Sequence, residues 1–77
     1  MRETVEMIVK KLVDDVEAVD VREIEKGNSS FLIEIRVAES DMGKLIGRQG
    51  KTVRALRSLL HAASLKQRRR YLLEIIE

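Results

Sequence analysis

Gly43-Lys44-Leu45-Ile46-Gly47-Arg48-Gln49-Gly50-Lys51-Thr52 carries three of the four glycines in the chain, and the rest of the sequence is best read outward from it. Its ending, Gly50-Lys51-Thr52, invites a phosphate-loop reading. That motif needs a glycine five residues ahead of the second one, and position 45 is leucine. Gly43 and Gly47 are both out of register, and a dinucleotide-binding fingerprint fails on the same spacing. What remains is Ile46-Gly47-x-x-Gly50 lying between two helical stretches. Two glycines allow a sharp backbone turn and leave main-chain N–H groups uncovered. The second helix starts at the turn, so its positive dipole end points outward. Arg48 and Lys51 add full charges beside it. A phosphodiester passing this turn would meet backbone donors and cations together.

The flanking segments give the element order. Val5, Ile8, Val9, Leu12, Val13 and Val16 recur at helical spacing, which predicts an amphipathic helix over residues 2–16. Val19, Val21 and Ile24 open a strand. Phe31, Ile33, Ile35 and Val37 alternate with Leu32, Glu34 and Arg36 in a second, and Gly27-Asn28-Ser29-Ser30 supplies the turn between them. Ser40 or Asp41 is placed to cap a short helix running to Leu45. A longer helix is expected from Gly50 or Lys51 to Leu65, burying Val53, Leu56, Leu60 and Ala63 and turning Lys51, Arg54 and Arg57 outward. Tyr71–Ile76 reads as a strand that is apolar on both faces and therefore well covered. The order α-β-β-α-α-β predicts an α+β single domain over residues 1–77, with helices packed on one face of a three-stranded sheet.

Composition narrows function. Residues 1–40 hold six Lys/Arg against ten Asp/Glu, whereas residues 41–77 hold nine against three. No acid occurs between Gly43 and Arg70. Such asymmetry points to a polyanion-binding face, against the plainer reading of a solvated basic surface. With no cysteine and one histidine, neither a zinc site nor a thiol nucleophile is expected. No carboxylate pair near the loop can hold Mg²⁺, so a nucleotide hydrolase or nuclease is disfavoured and no cofactor is expected. The N-terminal residues carry acids early and lack a signal-like apolar core, from which a cytoplasmic protein is expected.

Leu45-Ile46-Gly47-Arg48-Gln49-Gly50-Lys51 resembles the signature of the KH domain family, an aliphatic residue followed by a Gly-x-x-Gly loop. The α-β-β-α-α-β order is like that of type II (prokaryotic) KH domains, and length and ending are most similar to the small stand-alone bacterial KhpA-type proteins. The resemblance implies a groove that clamps about four nucleotides of single-stranded RNA. Carried onto this chain, it puts Gly47, Arg48, Gln49 and Gly50 at the phosphates, with Lys44, Lys51 and Arg54 as cationic support. Ile46 and Val53 would form an aliphatic floor, although both also read as ordinary core. The resemblance further implies an RNA chaperone or post-transcriptional regulator linked to cell-envelope growth and cell shape. It also implies pairing with a KhpB/Jag-type RNA-binding protein. The rival is a KH-fold protein-interaction module or dimerisation partner that binds no RNA itself.

Three features remain. Lys66-Gln67-Arg68-Arg69-Arg70 reads either as a second phosphate contact or as cations offsetting a helix dipole. Ala55, Ser58, Ala62 and Leu65 line a stripe of the long helix and suit either a homodimer contact or plain solvent exposure. His61 falls among Arg54 and Arg57 with no carboxylate partner in sequence reach and reads as solvated.

Overall fold

The computed structural model describes all residues, Met1–Glu77. The elements are α1 (Arg2–Leu12), β1 (Asp20–Gly27), β2 (Ser30–Arg36), α2 (Met42–Ile46), α3 (Lys51–Gln67) and β3 (Arg70–Ile75). Short 3₁₀ turns at Val16–Ala18, Glu39–Asp41 and Arg48–Gly50 join them. The sheet order is β1-β2-β3, with β1 antiparallel and β3 parallel to β2. A parallel pair cannot be closed by a tight turn. The α2–loop–α3 segment is the crossover that β2 and β3 require, so the glycine loop lies inside the connection that completes the sheet.

Register puts one face of the sheet under the helices. Ile33 pairs with Leu73, Phe31 with Tyr71 and Ile35 with both Val21 and Ile75. Because side chains alternate, all of these point to the same side. There they meet Val5 and Val9 of α1, Leu45 of α2 and Leu56 and Leu60 of α3 in one core cluster. Each such aliphatic side chain contributes about 1.5–3 kcal/mol on burial. No helix is long and apolar enough to cross a membrane.

Three local expectations are corrected. First, α1 stops at Leu12 instead of reaching residue 16, and Val13 is already extended at φ −107°, ψ 161°. Asp14 and Asp15 would sit at the negative end of the helix dipole. Their N–H groups instead donate to the carboxylate of Asp41, at 3.3 Å and 3.0 Å. Second, Asp41 therefore does not cap α2: it makes no side-chain cap bond and is only 2% exposed. Third, β3 is an edge strand with an uncovered outer face, where Leu72 is 44% exposed. The outward row Ile24–Leu32–Leu72 is what made β3 look apolar on both sides.

Candidate nucleic-acid interface

The loop between α2 and α3 is built from four residues in which three take left-handed backbone angles. Gly47 has φ 80°, ψ 168°, Gln49 φ 56°, ψ 27° and Gly50 φ 74°, ψ 15°. The two glycines are needed for different reasons. A Cβ on Gly47 would overlap Thr52 Oγ1 and fall 2.7 Å from Thr52 Cβ and 2.8 Å from its backbone nitrogen. A Cβ on Gly50 would have Val53 Cγ1 at 4.0 Å as its nearest neighbour, so only the backbone angle selects glycine there. Gln49 adopts the left-handed conformation without that excuse, at a cost of about 1–2 kcal/mol. The turn is closed by the Gly50 N–H donating to the Gly47 carbonyl at 3.1 Å.

Arg54 has a role that charge alone did not reveal. From the first turn of α3 it reaches back over the loop, its Nη2 donating to the Gln49 carbonyl at 2.8 Å and its Nε to the Gly50 carbonyl at 3.3 Å. The two carbonyl dipoles that would otherwise repel an anion are thereby covered by a guanidinium. An arginine four residues after a turn glycine is the sequence signal for such a reach, since i and i+4 share a helix face.

Arg48, Gln49 and Lys51 are exposed, and no carboxylate lies within ion-pairing distance of Arg48, Lys51, Arg54 or Arg57. Lys44 stands apart from this group. Its ammonium pairs with the Asp14 carboxylate, and that hydrogen bond raises it above its ordinary value of 10.5. Three of the four cations expected at the site, Arg48, Lys51 and Arg54, are thus uncommitted to acids, and the fourth, Lys44, is tied to the chain leaving α1. Ile46 is 37% exposed beside the loop, so it is not a core residue, while Val53 is half-buried against the core. His61 is exposed, as are Ala55, Ser58 and Ala62. Such an arrangement offers an anion a defined backbone turn flanked by free cations and an aliphatic patch.

The sequence profile described as "KhpA/KhpB, KH domain" matches residues 2–75. A protein of Caldanaerobacter subterraneus subsp. tengcongensis named RNA-binding protein KhpA is 50% identical over 76 residues, covering 99% of this chain and all of the relative. The protein of the same name from Halalkalibacterium halodurans is 48% identical over the full length of both. That from Aquifex aeolicus is 44% identical over 77 residues, covering all of this chain and 96% of the relative. No solved structure matches the chain.

Proposed function

The chain belongs to the KhpA/KhpB family of KH domains, and from that membership we propose that it binds single-stranded RNA, with the Gly47–Gly50 loop as the grip on the phosphate backbone. The observation that carries this reading is the loop itself: a sterically enforced turn at the start of α3, its carbonyls covered by Arg54, with Arg48 and Lys51 free of acidic partners. The loop fixes the position of the strand and leaves base preference to the groove beside it, because phosphates are the same at every nucleotide. Ile46 and Val53 supply an aliphatic surface on which bases can lie. Aromatic stacking platforms of the kind other RNA-binding folds use are not available from Phe31 and Tyr71. Both rings are tied to each other, with centroids 5.8 Å apart.

The role follows as non-enzymatic: an RNA chaperone or post-transcriptional regulator acting in the cytoplasm. A mostly apolar depression between α1 and α3, lined by Ile8, Leu12, Ala55, Leu56 and Leu59 and bordered by Lys51 and Thr52 next to the loop, supports pairing with a second copy. Two four-nucleotide sites on one RNA would then gain avidity without new contacts. The test is the double variant Arg48→Asp/Gln49→Asp, titrated into a labelled unstructured RNA and followed by fluorescence anisotropy. Two negative charges at the phosphate seat should weaken binding by tenfold or more while the far-UV circular dichroism spectrum is kept. A folded double variant with wild-type affinity would remove the loop from the interface.

A further inference from the structure

Resting on RNA binding at the loop, we propose that Arg68, Arg69 and Arg70 form a second contact for RNA backbone at the opposite end of α3. The 17 residues of α3 set this turn about 25 Å from the loop. A strand held by four nucleotides at Gly47–Gly50 does not reach it, so the contact concerns longer RNA.

The turn is built, not a fray. Arg68 closes α3 in the left-handed conformation at φ 56°, its N–H donating to the Ser64 carbonyl, and the Arg69 N–H donates to the same oxygen at 3.1 Å. The Arg70 N–H donates to the Ser29 carbonyl at 2.8 Å, pinning the turn to the β1–β2 hairpin. The Tyr71 N–H donates to Ser64 Oγ at 3.1 Å, and the Arg69 guanidinium lies 5.1 Å from the Phe31 ring centre. Glycine is the residue that normally takes the Arg68 position, because it has no Cβ to strain there. Arginine is held there despite that cost, and all three side chains are exposed without an acidic partner.

Offsetting the helix dipole does not account for this. That effect fades beyond the last turn, where Lys66 already lies, yet Arg69 and Arg70 follow the helix. A groove leads from the turn toward the loop as far as Arg57, about two helical turns short of it. A depression between α3 and β3 bordered by Arg57, His61 and Leu72 runs into a second one of about 580 Å³ bordered by His61, Leu72 and the three arginines. Arg54, Arg57 and His61 follow one another at spacings of three and four, which keeps them on one stripe of α3, and Arg68 follows just past the end of the helix. A polyanion that runs from the loop to the turn therefore meets Arg54 and Arg57 near one end of α3 and Lys66 and the three arginines at the other.

Binding of U4 and U16 oligoribonucleotides by wild type, R68Q/R69Q/R70Q and R68K/R69K/R70K tests the proposal. The glutamine variant should bind U4 like wild type and U16 at least tenfold more weakly. Its slope of log affinity against log salt for U16 should flatten by about 2, three contacts at roughly 0.7 each on single strands. The lysine variant should retain the wild-type slope. Arg68→Gln alone should flatten the slope by about 0.7, which keeps the test available if the triple variant loses its fold. Unchanged U16 binding, or equal losses for U4 and U16, overturns the second contact. R48D/Q49D separates the two sites: if it keeps U4 binding, the loop assignment fails, independently of what the glutamine variant does to U16.

Discussion

Replacing Gly47 by alanine should be the most damaging single-methyl change in the loop, and the structure says by how much. At φ 80°, ψ 168° an alanine enters a backbone region that is essentially restricted to glycine, at about 1–3 kcal/mol. Its Cβ also overlaps Thr52, adding a packing penalty of about 1–3 kcal/mol. The sum is about 4 kcal/mol, set against a total stability of about 4–12 kcal/mol for 77 residues. In a domain of this size each kcal/mol moves the melting temperature by about 4–8 °C. Gly47→Ala should therefore melt about 16–32 °C lower than wild type in a circular dichroism scan. Gly50→Ala meets no neighbour closer than 4.0 Å and carries only the left-handed penalty of about 1–2 kcal/mol, or about 4–16 °C. Thr52→Ala should not rescue Gly47→Ala. It removes the hydroxyl but leaves the Cβ at 2.7 Å and the backbone nitrogen at 2.8 Å. Equal melting of the two glycine variants, or full rescue by Thr52→Ala, would refute the steric account of the loop.

Three other outcomes are expected. The N–H of Asp15, helped by that of Asp14 and by Lys44, holds the Asp41 carboxyl below its ordinary 3.8 against the opposing effect of burial. A depressed native pKa stabilises in full above the unfolded value and is lost as pH falls through the native one. Denaturant midpoints of the wild type should therefore drop below about pH 4, and Asp41→Asn should start lower at neutral pH and change less across that window. Parallel curves for the two proteins would show that Asp41 is not the acid-sensitive anchor. Ile33→Ala, at a fully buried position on the central strand, should cost about 2–5 kcal/mol in urea denaturation. Arg54→Lys should keep the charge yet lose the forked reach to two carbonyls, so amide hydrogen exchange in Gly47–Gly50 should quicken as much as in Arg54→Ala. Slow exchange retained by the lysine variant would mean that charge alone holds the loop.

What the sequence determined by itself was everything that depends on local periodicity and on glycine position. The spacing of Val5, Val9 and Leu12, the alternation of Phe31 to Val37 and the stripe of Leu56 and Leu60 dictate helix, strand and helix without reference to distant residues. The loop at Gly47 and Gly50 was equally legible, because no other residue type turns the chain so cheaply between two helices. The acid-free run from Gly43 to Arg70 was likewise legible in the sequence, and the proposal of an anion-binding face starts from it.

Tertiary structure decided what those residues do to one another. Asp41 looked like a helix cap, but its partners are the N–H groups of Asp14 and Asp15, more than twenty-five positions away, and no local pattern encodes that distance. The same contact ends α1 early, and the pairing of Lys44 with Asp14 diverts a cation that sequence counted toward the loop. β3 read as covered because its register was unknown; as an edge strand it leaves Leu72 half in solvent. Gly47 and Gly50 were indistinguishable as letters, and only the position of Thr52 separates a steric requirement from a conformational one. Periodicity is written in neighbours along the chain, whereas partners, register and clearance are set by segments that meet only after the chain has folded.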